Sequence, residues 1–160
     1  MIIKTIKKML NTTKVHVSRH HIYSSSAEME KDSDLVVVCS LKNKAVVQDL
    51  SPQLSNEFTL YTMAVDEVVT GSHPQDTVII RQLTEMETDY FNPKKDQRYL
   101  LYLKHSGLPG EASGHYYICG VNAGVYSSQD ARTLSAPANG AERFVKSYTT
   151  EDKLPGEITR

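Results

Sequence analysis

The sequence predicts a mainly β single domain: a small, closed or partly closed five-stranded barrel with a short N-terminal helix and a loose C-terminal extension. Three observations carry this. Five runs rich in β-branched residues or tyrosine, at 35–39, 58–69, 77–82, 98–103 and 115–119, are separated by polar or glycine-bearing connections. No strand–helix–strand rhythm runs through them, which argues against a doubly wound sheet. The chain has 160 residues, and a domain of this size buries roughly two thirds of its unfolded surface, enough for one core.

The charges nearly cancel, with 18 basic and 19 acidic residues and a net charge of -1. That balance removes the main electrostatic motive for unspecific binding to nucleic acid. No stretch reaches the roughly twenty apolar residues of a spanning helix. Two cysteines are too few for a disulfide-dense scaffold or a four-cysteine zinc site.

Residues 1–22 read as a basic, flexible segment. Lys4, Lys7, Lys8, Lys14 and Arg19 precede the first acid, Glu28, and Ile3, Ile6 and Leu10 fall at helical spacing. Lys7 and Lys8 interrupt the apolar run, so an intact signal peptide is not expected in this sequence, and the segment reads as a frayed terminus or the remnant of an export signal. The alternative is a short basic helix in weak contact with an anionic membrane surface. The barrel is assigned to 23–126 and a polar extension to 127–160.

A helix follows Ser24-Ser25-Ser26, where Ser25 and Glu28 have capping-box spacing. The first strand, at 35–39, continues past a bend at Lys42-Asn43-Lys44 into Ala45-Val46-Val47. After a polar loop from Ser51 to Asn56, the second strand alternates on Tyr61, Met63 and Val65. Its alternation slips after Asp66-Glu67, which predicts a bulge. Residues 77–82 form the third strand, and 84–93 an exposed acidic excursion ending at a turn. The fourth and fifth strands flank a glycine-rich loop at 107–114, Val125-Tyr126 makes a further short strand, and 142–148 is expected to form a helical turn.

Certain phrases are more specific. They are Ser33-Asp34-Leu35-Val36-Val37-Val38, then Phe58-Thr59-Leu60-Tyr61-Thr62 running into Val65-Asp66-Glu67-Val68-Val69-Thr70-Gly71, and then Asp76-Thr77-Val78-Ile79-Ile80. With Tyr99-Leu100-Leu101-Tyr102-Leu103, Tyr116-Tyr117-Ile118 and Gly120, they resemble bacterial relatives of the netrin-like domain. That superfamily includes the tissue inhibitors of metalloproteinases, and its fold is an OB-type barrel. The resemblance spans about 23–126. It implies an OB-type barrel in an envelope or secreted bacterial protein, acting as a non-catalytic binding module with a protein partner. The inhibitors chelate zinc through an N-terminal cysteine; here Met1 begins a basic segment and Cys39 lies inside a strand, so that mechanism does not carry over. The disulfides usual in the animal domains are missing as well.

Candidate site residues are few. Cys39 ends the first strand and Cys119 the fifth, and a disulfide between them would stabilise by roughly 4 kcal/mol on the chain-entropy model. The alternative is two separate buried thiols. His16 and His20, four apart, are half of a metal site on a helix, but no HExxH pattern completes them, and a solvent-exposed pair is expected. His105 and His115 flank the 107–114 loop, which lacks the Gly-Lys-Ser/Thr of a phosphate-binding loop, so no cofactor is expected. Asp66 and Glu67 are adjacent and point to opposite faces of a strand, and no nucleophile elbow occurs, so no catalytic residues are assigned. Tyr61, Tyr99 and Tyr102 with Lys94, Lys95 and Arg98 form the possible binding surface. On an OB-type barrel they are the stacking platforms and charges that single-stranded nucleic acid would need. The plainer reading packs the tyrosines in the barrel with hydroxyls reaching the rim, and nucleic acid is the less favoured partner.

Overall fold

Two long strands, β1 (Leu35–Leu50) and β2 (Ser55–Thr70), form an antiparallel hairpin at the centre of the structure. The structure is a computed structural model that describes residues 21–50, 55–130 and 141–160. The basic segment as far as residue 20, with the His16 and His20 pair, lies outside the described residues. Along the hairpin, Lys42, Asp66 and Val69 have no cross-strand partner. These breaks in register coincide with the bend expected at Lys42 and the bulge expected beside Asp66, and they let long strands coil.

β3 (Thr77–Leu83) pairs antiparallel with β2, and β4 (Arg98–His105) pairs antiparallel with β1 over residues 35–40. β5 (His115–Ile118) lies parallel to β3 and antiparallel to β4. Five strands therefore close into a ring in the order β1–β2–β3–β5–β4 and back to β1. Period-two alternation sends one set of side chains to the inside. Leu35, Val37, Cys39, Tyr61, Met63, Val78, Ile80, Leu101, Leu103 and Ile118 pack there as one core.

The excursion after β3 is not a free loop. Following a 3-10 turn at Thr84–Met86, it inserts Phe91, 1% exposed, into the core edge-on to Tyr61 and Tyr99, with centroids 5.2 and 6.0 Å away. Gln82 fastens it: its amide nitrogen donates to the Phe91 carbonyl at 2.8 Å, and its oxygen accepts from the Phe91 N–H at 3.2 Å. An acidic stretch ending in Tyr-Phe-Asn-Pro signals exposure locally, but the open end of the ring supplies an apolar socket.

A second layer covers the outside of β1 and β4. Helix α1 (Ser26–Asp32) is capped by Ser25, whose Oγ accepts from Glu28 N at 3.1 Å. It contributes Met29 to a cluster with Tyr23, Val36, Val38, Leu100, Tyr102 and Tyr126. The C-terminal residues complete this layer and correct the expectation of a loose extension with a helical turn. β6 (Val125–Ser128), β7 (Arg143–Lys146) and β8 (Glu157–Thr159) extend the sheet from β4 by successive antiparallel pairings. β7 and β8 read as polar because each buries only one face: Phe144 and Ile158 point into the layer while their neighbours are more exposed. By contrast, β6 is buried on both faces, Val125 in the inner core and Tyr126 in the outer layer. Among the described residues no helix is long and apolar enough to cross a membrane.

Candidate binding face

The residues expected to form one surface are divided by the fold. Tyr61 and Tyr99 lie in the inner core and Tyr102 in the outer layer. Their rings are therefore packing elements and offer no stacking platform. Two of the hydroxyls sit at the rim: Tyr61 donates to Glu87 Oε2 at 2.7 Å, and Tyr99 accepts from Lys94 N at 2.7 Å. Burial pushes the Tyr102 hydroxyl up to about 12. Lys94 and Lys95 are exposed.

Arg98 is buried at 6% exposure between two carboxylates, with Nη1 2.6 Å from Asp66 Oδ2 and Nε 3.0 Å from Glu142 Oε2. Ser128 Oγ donates to the same Glu142 oxygen at 2.5 Å. Burial raises the Asp66 carboxyl above its ordinary range, against the pull of Arg98. Its charge thus serves an internal network that ties β2, β4 and the C-terminal strands together.

Of the two readings of the cysteines, the structure has the separate buried thiols. Both are free and buried, Cys39 in the inner core and Cys119 in the outer layer. β1 lies between β2 and β4 in the ring, so the first and fifth strands are not neighbours. Burial pushes both thiols up, which leaves them poor nucleophiles.

His105 stacks on Tyr116 at 4.6 Å between centroids, and His73 meets the same ring edge-on at 5.9 Å. His115 is buried, its Nδ1 has no hydrogen-bond partner, and burial, helped by Arg81, lowers its pKa. Among the described residues no three His, Cys, Asp or Glu side chains are placed to hold a metal ion.

The surface that the fold does assemble is the outside of β2 and β3. Cross-strand partners share a face, so the register defines rows. Leu83, Phe58 and Val47 form one row, and Arg81, Leu60 and Ala45 the next. Ile79 joins Thr62 to His115 in a third. Phe58, Leu60, Ile79 and Leu83 are all half-buried, and the Arg81 guanidinium lies 3.9 Å above the Phe58 ring centroid. A cation over an aromatic face is held by the ring quadrupole and keeps both groups at the surface. The β1–β4 outside carries α1 and the C-terminal strands; among the described residues nothing comparable covers the β2–β3 outside. Its sequence signal was present but weak: β2 is apolar on both faces where Phe58 and Leu60 alternate with Tyr61 and Met63, and Ile79 adjoins Ile80.

This face offers apolar area and one cation. Comparison with protein-family models, curated proteins and solved structures found no match to this chain.

Proposed function

We propose that this chain is a non-catalytic binding module built on an OB-type barrel of the netrin-like kind, acting on a protein partner in the bacterial envelope or outside the cell. Support for the barrel comes from the closed ring and the parallel β3–β5 pairing, an arrangement suited to a five-stranded Greek-key barrel. In such barrels the face of strands 2 and 3 is a usual binding surface. The observation that carries the functional reading is the apolar strip of Phe58, Leu60, Ile79 and Leu83 on that face. The location rests on the family resemblance alone, because free thiols remove a disulfide as an argument for export.

A photo-reactive benzoylphenylalanine at Leu60 tests the reading in cells. A discrete protein adduct is expected there and none with the same group at Lys153, on the covered side. Equal labelling at both positions, or none at Leu60, would sink it. The second reading, single-stranded nucleic acid on the same face, is favoured by the Arg81–Phe58 pair. It requires retention on an oligonucleotide column that salt abolishes; absence of retention at about 50 mM salt eliminates it.

A further inference from the structure

The β1–β2 hairpin runs beyond the ring. β2 pairs with β1 as far as Leu50, but β4 leaves β1 after Ser40. From Leu41 to Val47, one edge of β1 therefore has no strand partner among the described residues. Residues 42–46 are exposed, with Val46 at 57%. A strand edge of this kind presents backbone donors and acceptors in register, a template for another extended chain.

The usual protections sit at the start of this edge, in the bulge at Lys42 and the lysines at 42 and 44, and none falls within 45–47. Residues 43–47 contain no proline, and the bulge at Lys42 lies before the stretch rather than within it. Lys44 is held 3.1 Å from Glu87, while Lys42 makes no ion pair with a described residue. The two outer-face rows, Leu83–Phe58–Val47 and Arg81–Leu60–Ala45, both end at this edge. A strand added beside β1 would continue those rows, so every second residue of it would meet apolar neighbours. On the opposite face Lys44, paired with Glu87, occupies the row of Tyr61 and Val46 the row of Thr59, and Lys42 at the bulge adds a cation with no carboxylate partner among the described residues.

We infer that the partner binds by adding a strand to β1 over residues 43–47, and that its segment alternates apolar with acidic residues. This rests on the binding-module reading and states how that module engages its partner. The edge gives affinity through main-chain hydrogen bonds, and the alternation gives specificity through the two faces.

The test uses the full chain and a synthetic peptide of about ten residues alternating Val and Glu. Amide hydrogen exchange at residues 43–47 is expected to slow at least about tenfold with saturating peptide. The effect should vanish with a peptide N-methylated along its backbone, and weaken when Lys replaces Glu. Unchanged exchange at 43–47 would overturn the inference, as would equal binding of the N-methylated peptide. Protection that appears without peptide and grows with protein concentration would overturn it too, in favour of a second copy on this edge. If the Leu60 adduct forms while edge exchange stays unchanged, the inference falls and the binding-module reading stands. If edge exchange responds without an adduct at Leu60, the β2–β3 face is not the site but the edge is.

Discussion

Arg98 donates from Nε to Glu142 at 3.0 Å, joining the first residue of β4 to the residue that leads into β7. Glu142 is 3% exposed, so removing Arg98 strands a buried carboxylate. Arg98→Met is expected to destabilise the fold by about 3–5 kcal/mol, and the Arg98→Met, Glu142→Leu pair to recover much of the loss. Urea midpoints of the two variants decide this; a double variant no more stable than the single would show that the network stabilises as a unit.

Phe91 plugs the inner core from the 84–97 segment. Phe91→Ala should cost about 3–5 kcal/mol, as large-to-small changes of fully buried aromatics do. Phe91→Leu should cost clearly less. Thermal or urea unfolding within about 0.5 kcal/mol of the parent, the range of surface substitutions, would mean the segment is not part of the core.

His115 sets an acid limb of stability. Burial, then Arg81, lowers its folded pKa below the ordinary 6.5, so folding favours the neutral ring. Its contribution is complete above that ordinary value and is lost as the pH falls towards the folded pKa. Glu87, lowered by the Tyr61 hydrogen bond and then by Lys44, acts with the same sign at more acidic pH. Asp66, raised by burial, acts oppositely and weakens the fold as pH rises through the carboxylate range. Urea midpoints should drop between about pH 7 and pH 5.5, the interval in which an ordinary histidine gains its proton. His115→Gln should flatten that interval; an unchanged slope would remove His115 as the cause.

Cys39 and Cys119 should resist alkylation in the native protein and both react in denaturant without reductant. Intact mass reads the result directly. A mass two protons low with no alkylation would show a bridge and contradict the two-layer placement.

Gly71 closes β2 at φ +96°, and a Cβ there would meet the Asp34 carbonyl oxygen at 2.5 Å. Gly71→Ala should therefore destabilise by more than the roughly 1–2 kcal/mol of left-handed backbone alone. A neutral effect in urea unfolding would mean that the turn relaxes freely.

Much of the local structure was legible along the chain. The runs at 35–39, 58–69, 77–82, 98–103 and 115–119 each sit within an observed strand or overlap one closely. The Ser25 cap and the irregularities at Lys42 and Asp66 were legible too, because caps, alternation and its interruption are short-range properties. The candidate surface was less so. Tyr61, Tyr99 and Tyr102 look alike in sequence whether they stack on a ligand or pack in a core, and Lys94, Lys95 and Arg98 carry the same charge whether solvated or buried.

The sequence by itself determined that this chain makes mainly strands, since alternation and β-branched composition act residue by residue. Only the tertiary structure decided which faces are covered. Closure of β4 onto β1 puts Tyr61 and Tyr99 inside, α1 and β7 cover Tyr102, and Arg98 finds Glu142 44 positions away. β7 and β8 carry too little apolar signal to be read locally; they form because β6 offers a free edge and the outer layer takes Phe144 and Ile158. Alternation tells a residue which side of the sheet it faces, and long-range pairing determines what waits on that side.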